Sequence, residues 1–312
     1  MQCSKCQGNA VIVLQHGTFC KTHFLNYFEE KVFKTIQKYK LIGREEKICV
    51  AASGGKDSLT ALYLTKKYLE KNNLPREHLL ALVIDEGIAN YRNATIQDLK
   101  KFCREHDVPL KIVSNKEEFG YTLDEASQLA KTTNKKKPCN VCGVWRRYLI
   151  NKYAREQGAT KLITGHNLDD EAQAIMMNHF KANTKLAANL GPISGTQEHE
   201  LFVQRVKPLY FCTEKETRLY VLLKNFRVDF TECPYANEGY RAQVRDMLND
   251  FEHKYKGTKQ SVINSFLKIL PLLKENNQQE ENDAIKPCQI CQEPANKEVC
   301  NACAIKEELQ NE

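Results

Sequence analysis

The sequence predicts an α/β fold: a doubly wound parallel sheet with a small zinc module at each end. Three observations lead there. Short apolar runs alternate with longer helical patterns through the middle of the chain. One of those runs, Ile48 to Ala52, stops at Ser53-Gly54-Gly55 and is followed at once by a helix start. Both ends carry paired Cys-x-x-Cys or Cys-x-x-His motifs.

Taken in order, Cys3-x2-Cys6 and Cys20-x2-His23 supply three thiolates and one imidazole, a complete tetrahedral zinc set. Residues 24–46 read as a charged helix. The strand Ile48–Ala52, its glycine turn and a helix bearing Leu59, Leu62 and Tyr63 on one face follow. Leu79–Ile84 is a second strand, ending at Asp85. Residues 93–107 are helical, Leu110–Val113 is a third strand, and 117–132 reads as another helix. A helix opening near Pro138 runs to about Gly158. Lys161–Thr164 is a fourth strand, with a helix after it to about Lys181. Residues 183–200 read as a loop and Phe202–Leu209 as a fifth strand. Glu214–Phe226, 241–256 and 260–273 read as helices, with a turn at Thr231–Tyr235. The Asn-, Gln- and Glu-rich stretch 274–287 reads as a linker. Beyond it, Cys288-x2-Cys291 and Cys300-x2-Cys303 make a four-thiolate set. Segments this small cannot build a core, so metal supplies their folding energy. The expected organisation is an N-terminal zinc module (1–28), a catalytic domain (29–274), and a linker with a C-terminal zinc module (275–312).

Composition narrows the class. A chain of 312 residues with 42% hydrophobic content can bury one large core. Its longest apolar run, Leu79–Ile84, is far too short to cross a membrane. The N-terminus has no signal-peptide layout. A cytoplasmic, soluble protein with no membrane partner is expected. There are 46 Lys and Arg against 39 Asp and Glu, a formal charge of +7 that suits a polyanion. Basic clusters lie at Lys131–Lys137, Arg146-Arg147 and Lys254–Lys259; such runs also serve as solvated faces.

The turn after the first strand carries the chemistry. A helix N-terminus leaves N–H groups unpaired and favours an anion. Gly54 and Gly55 let backbone come close to a phosphate. Lys56 adds a charge, and the hydroxyls of Ser53 and Ser58 can donate. A Walker A loop is excluded, because Asp57 and Val50 occupy two of its required positions, and the dinucleotide fingerprint is absent. Ser53-Gly54-Gly55-Lys56-Asp57-Ser58 instead matches the SGGxDS loop and so resembles the PP-loop ATP pyrophosphatases. That resemblance implies cleavage of ATP between its α- and β-phosphates. Asp85 and Gly165–Asp170 also fall at carboxyl ends of strands, where ligands bind in such sheets.

Thirteen cysteines are many for a reducing compartment, where disulfides are rare. Outside the two terminal sets, Cys49 and Cys103 read as small buried hydrophobes. Cys212 is ambiguous. Cys139 and Cys142 stand at a helix start behind Pro138, which favours thiolates. Cys233 sits in a turn. Three thiolates can hold a [4Fe–4S] cluster with one iron open. A third zinc site completed by His166 or Cys212, or a persulfide-carrying redox pair, also fits the spacing.

Taken together, Ser53–Ser58, Pro138–Gly143 with Arg146-Arg147, Gly165–Asp170, Cys233 and both terminal modules resemble the archaeal and thermophile tRNA 2-thiouridine synthetases of the TtuA/NcsA type. The resemblance spans essentially the whole chain. It implies that Ala52, Ser53, Gly54, Gly55, Lys56, Asp57 and Ser58 bind ATP with Mg2+, and that Asp85, Gly165 and His166 lie near the nucleotide. It implies that O2 of a tRNA uridine is adenylated and replaced by sulfur held at Cys139, Cys142 and Cys233. Arg146 or Lys137 would steady the developing charge, and Asp169 or Asp170 would act as acid, base or metal ligand, one of the two serving as a helix cap. Sulfide or a sulfur-carrier protein and a homodimer are expected. The wobble uridine is the favoured target, because abundant Asn and Gln do not suit a thermophile. Thiolation of a T-loop uridine or a cytidine is the alternative, as is a non-catalytic zinc-ribbon RNA-binding protein.

Overall fold

The computed structural model describes residues 1–133, 137–195, 200–235, 239–280 and 285–310. A hairpin of β1 (Ile12–Leu14) and β2 (Gly17–Phe19) leads into α1 (Lys21–Lys38). The central unit runs β3 (Ile48–Ala51), α2 (Lys56–Lys71), β4 (Leu79–Asp85), α3 (Arg92–Glu105), β5 (Leu110–Ser114), α4 (Asn115–Phe119), α5 (Leu123–Thr133), α6 (Pro138–Glu156) and β6 (Lys161–Ile163). It continues through α7 (Leu168–Phe180), α8 (Thr184–Ala188), β7 (Gln204–Val206), α9 (Glu214–Leu223), α10 (Tyr240–Lys254) and α11 (Thr258–Glu280). A short hairpin, β8 (Lys286–Pro287) with β9 (Pro294–Ala295), and α12 (Asn301–Gln310) close the chain.

Five strands form one parallel sheet in the order β5-β4-β3-β6-β7. The chain winds outward from β3 through β4 to β5, then returns to β6 on the other side of β3. The strand order therefore reverses between β3 and β6, and the crevice at their carboxyl ends is where such sheets bind ligands. Helices cover both faces, which is why the strands read as continuous apolar runs. Ile48, Val50, Ala81 and Val83 face a core shared with Phe28, Leu62 and Tyr220. Cys49, Leu82, Ile84 and Leu162 face the opposite core with Trp145 and Leu149. A third cluster joins α7, α10 and α11 through Leu168, Ala172, Val244 and Phe266.

Several boundaries differ from the sequence reading. The first helix stops at Lys38 rather than 46, because Leu41 and Ile42 are drawn into the core and Lys40 turns the chain at φ 49°. The helix read at 117–132 is two, separated by left-handed Gly120. The stretch 183–200 holds α8, capped by the Asn183 side chain accepting from Leu186 N–H. The last strand shrinks to three residues, because Pro208 cannot donate to a ladder. The presumed linker is helical as far as Glu280, with Asn277 buried in it. Lys135 and Lys136 of the basic run lie outside the described residues, as do 196–199 of the presumed loop and 281–284 of the presumed linker.

Candidate active site at the sheet's carboxyl edge

Ala52 continues β3 by one bond, its N–H donating to Leu82 O at 2.8 Å. The chain then breaks away at Gly54, where φ is +85° and a β-carbon would sit 2.8 Å from Thr95 O. Only glycine fits that contact. Ser53 Oγ donates to Ser58 Oγ at 3.1 Å, and Ser58 Oγ donates to Gly55 O at 3.0 Å, so the loop is folded onto the first turn of α2. Lys56 Nζ lies 2.9 Å from Asp57 and 2.9 Å from Glu214. Burial works against its charge, but the two carboxylates outweigh burial and raise its pKa. Burial likewise raises the Asp57 carboxyl, with Lys56 and Asn167 opposing.

The β6 edge meets this loop directly. A β-carbon on Gly165 would lie 2.8 Å from Ser58 N and 2.9 Å from the Asp57 carbonyl carbon, so the two backbones pack without a side chain between them. Asn167 caps α7, accepting from Asp169 N–H and Asp170 N–H, while its own amide donates to Asp57 Oδ1 at 3.1 Å. Asp170 completes the capping box and pairs with Arg241 at 3.3 Å. Burial lifts its pKa to about 6, Arg241 opposing. Asp169 is buried, paired with Lys259 and accepting from Glu214 N–H at 2.8 Å. It holds α9 and α11 to α7, whereas Asp170 feels the charge of Asp57 in the phosphate loop. His166 bonds Thr164 Oγ1 at 2.9 Å. The ring keeps an exposed face, yet crowding by protein, then Lys207, Arg241, Arg205 and Arg146, lowers its pKa to about 3.

The β4 edge adds Asp85, which accepts from Gly87 N–H at 2.9 Å, and Glu86, which is buried. Arg92 donates to Ser53 O at 2.7 Å and to Ile84 O, and pairs with Glu86 at 2.6 Å. Arg146, half exposed on α6, lies 3.9 Å from the same Glu86. A chain of charges thus runs from the phosphate loop to the helix that carries Cys139 and Cys142.

The Cys139 thiol donates to Tyr235 O at 3.0 Å, two residues beyond Cys233. Burial pushes the Cys142 thiol up to about 11, with Arg146 opposing and Glu86, Cys233 and Cys139 adding. Burial also raises Cys233, which feels Cys139, Glu86 and Arg146. The three thiols thus lie near enough to influence one another's ionisation, together with Arg146 and Glu86. Among the described residues, only the terminal sets bring all their ligand atoms within 4.8 Å of one another. A single ion needs such tight gathering, whereas a four-iron cluster spreads its thiolates over separate irons. Cys212 does not complete the trio: it is fully buried in the opposite core, near Lys31 and Glu216. His166 faces cations. The donor set therefore fits a three-cysteine cluster better than a third zinc. Cys49 and Cys103 are buried, as expected of packing residues.

Both terminal sets come together. Cys3, Cys6, Cys20 and His23 converge, with Cys6 and Cys20 sulfurs 3.8 Å apart and His23 Nδ1 3.5 Å from Cys3 and 3.3 Å from Cys20. Cys288, Cys291, Cys300 and Cys303 do the same, with Cys291 and Cys300 sulfurs 3.7 Å apart. A tetrahedron with Zn–S bonds near 2.3 Å has edges of about 3.8 Å. Backbone N–H groups of Lys5, Gly8, Cys300 and Cys303 donate to the sulfurs, as thiolate charge requires.

Residues 25–250 match the family model of a PP-loop domain. The chain is 36% identical to a tRNA-5-methyluridine(54) 2-sulfurtransferase of Pyrococcus horikoshii, over 99% of this chain and 96% of that one. It is 30% identical to the tRNA 2-thiolation protein NcsA of Haloferax volcanii, over 99% of each. The chain belongs to the PP-loop tRNA thiolase family. Its fold is similar to that of the U34-tRNA thiolase NcsA from Methanococcus maripaludis with its [4Fe-4S] cluster, at TM-score 0.81, 32% identity, and coverage of 99% and 96%.

For a PP-loop thiolase, the sequence reading missed the residues that join the motifs. Glu214, Arg92, Glu86 and Arg241 belong to no local pattern, and Lys259, read as part of the basic run Lys254–Lys259, is instead buried against Asp169. Only Glu86 carried a signal, an acidic residue directly after a strand that ends in Asp85. Lys137, Arg146 and Arg147 are exposed, open to a polyanion.

Proposed function

We propose that this chain is an ATP-dependent tRNA uridine 2-sulfurtransferase. One observation carries the reading: contacts through Ser53, Arg92, Glu86 and Arg146 run from the phosphate loop to α6, the helix whose first turn bears Cys139 and Cys142. ATP phosphates are held by the N–H groups at the start of α2 and by the hydroxyls of Ser53 and Ser58. Lys56 neutralises their charge and leaves Glu214 to do so, and Mg2+ shares that load. O2 of the target uridine attacks the α-phosphorus, pyrophosphate leaves, and C2 now bears a good leaving group. Arg146 stands between the two halves of the site and steadies the charge that develops at C2. Asp170, with a pKa near 6, exchanges a proton close to neutral pH. When bound at Cys139, Cys142 and Cys233, a [4Fe–4S] cluster supplies an open iron site for sulfide, donated free or by a carrier protein. Sulfide sulfur forms a bond to C2, and AMP departs with the electron pair of the broken C2–O2 bond.

Zinc at the two terminal sets organises the segments that carry them, 1–28 and the stretch beyond α11, at the two ends of the catalytic part. The exposed basic residues take the tRNA, with a flipped or loop uridine as substrate. A homodimer in the cytoplasm completes the reading; no helix among the described residues is long and apolar enough to cross a membrane. The favoured target is the wobble uridine; the chain is alike over its full length both to a U34-tRNA thiolase and to a tRNA-5-methyluridine(54) 2-sulfurtransferase, so mapping of the product decides the position.

The test is anaerobic reconstitution followed by thiolation of tRNA with ATP and sulfide. Wild type should bind about four irons. Alanine at Cys139, Cys142 or Cys233 should abolish iron and thiolation and leave two zinc ions. Thiolation by an iron-free protein would sink the cluster and move the sulfur to a persulfide on Cys142 or Cys233. Mass mapping of thiolated fragments decides the position, and sulfur only in the T-loop would reverse the favoured target.

A further inference from the structure

The turn that carries Cys233 meets side chains from two other elements: Arg245 of α10 lies 3.8 Å from Glu232, and Asp124 of α5 takes the shorter contact, to Tyr235. Asp124, in the first turn of α5, uses both carboxylate oxygens. Oδ2 accepts from Ala89 N–H at 2.8 Å, and Oδ1 accepts from the Tyr235 hydroxyl at 2.7 Å. Tyr235 in turn offers its carbonyl to Cys139, 3.0 Å away. Tyr235 is therefore tied at its ring end to α5 and at its backbone end to the start of α6, with Cys233 two residues upstream.

The seat that holds Asp124 is rigid. Leu123 N–H donates to Glu86 O at 2.7 Å. Thr122 N–H donates to Glu125 at 2.8 Å, and Glu125 N–H to Thr122 Oγ1 at 3.1 Å, which locks the helix start. Gly87, at φ +68°, packs so closely on Thr122 that a β-carbon would lie 2.6 Å from its methyl. The end of β4 with Asp85, and Glu86 and Gly87 after it, are thus one unit with the base of α5.

We propose that Asp124 and Tyr235 form a latch that positions Cys233 against Cys139 and Cys142, fixed to the same strand edge that bears Asp85. They are positioning residues, acting through the cysteines. A turn held only by its own backbone would let Cys233 drift from thiols on a helix 90 residues earlier in the chain (roughly, by sequence separation). A hydroxyl–carboxylate bond to a rigid helix start removes that freedom. The inference rests on the three-cysteine reading above.

Tyr235→Phe and Asp124→Ala are the variants, studied in the full chain. After anaerobic reconstitution, each should lose iron to a chelator about tenfold faster than wild type, the factor expected for one lost hydrogen bond to a charged group. The double variant should be no worse than Asp124→Ala alone, because that variant has already lost the bond to Tyr235. Zinc content and ATP binding should stay at wild-type levels. In protein that lacks the cluster but keeps its zinc, alkylation of Cys233 by iodoacetamide, read by peptide mass spectrometry, should quicken in both variants while Cys49 and Cys103 stay protected. Wild-type iron loss with unchanged alkylation overturns the latch, as does a double variant whose effects simply add. A wild type that takes up no cluster refutes the cluster reading instead, and the alkylation rates then decide the latch by themselves.

Discussion

The Asn167 amide donates to Asp57 Oδ1 at 3.1 Å, joining two motifs that lie 110 residues apart in the chain. Asn167 also caps α7 with its carbonyl oxygen. One side chain therefore starts a helix and orients a carboxylate of the phosphate loop. Asn167→Ala should cost about 1 kcal/mol for the lost cap. It should also weaken ATP–pyrophosphate exchange, whereas Asn167→Asp keeps the cap, loses the amide donor and sets a carboxylate against Asp57. Urea denaturation separates the two effects: the Asp variant should hold stability better than the Ala variant while exchange stays impaired.

Lys56→Ala and Asp57→Ala should abolish AMP release in the presence of tRNA and sulfide, with metal content unchanged. Both residues sit on the turn at the head of α2, and neither belongs to the apolar core. Normal AMP release by both variants would remove the phosphate-loop assignment.

Gly165→Ala should behave differently from most surface glycine changes. The added carbon meets backbone at 2.8 Å, and neither Ser58 nor Asp57 can yield without moving the head of α2. The expected result is a raised KM for ATP in the exchange assay with near-normal secondary structure by circular dichroism. An unchanged KM would mean that the β6 edge does not set the loop.

Trp145 is the sole tryptophan of the chain and is fully buried. Its indole N–H donates to Ala302 O at 3.3 Å, next to Cys303, and its ring stacks on Phe119. Loosening the C-terminal metal set should therefore red-shift tryptophan fluorescence. Cys300→Ser or Cys303→Ser should produce the shift, and Cys3→Ser should not. Identical spectra for all three would disconnect the C-terminal module from α6.

His166 sets a pH dependence whose sign is fixed by its lowered pKa, about 3 against an ordinary 6.5. Above 6.5 neither folded nor unfolded chain binds this proton, so the residue adds no pH dependence there. As pH falls from 6.5 toward 3, the unfolded chain takes up a proton that the folded protein refuses, and stability is lost across that window. His166→Gln should flatten the decline in urea midpoint between about pH 7 and about pH 5. At neutral pH the imidazole is uncharged, so a rate limb near pH 6.5 that disappears in the Gln variant would contradict the assignment.

Local chemistry is what the sequence by itself determined. Ser53–Ser58 announces a strand, a tight turn and a helix start in six letters. The four ligand pairs at the termini declare their own partners, because two ligands three residues apart already form half a metal site. Alternation of strand and helix patterns sets the parallel architecture. Element ends were read less well wherever a distant contact decided them, as when burial of Leu41 and Ile42 ended α1. Tertiary structure alone decided which motifs meet. The return of β6 to the far side of β3 brings Gly165 onto Ser58, seats Glu214 on Lys56, and leaves Cys212 in the core opposite Cys142 and Cys233. It also chose between two adjacent carboxylates, burying Asp169 against Lys259 and leaving Asp170 to feel the charge of Asp57. These are pairings across tens of residues, governed by packing and charge between elements, and no short pattern encodes a neighbour that only the folded sheet supplies.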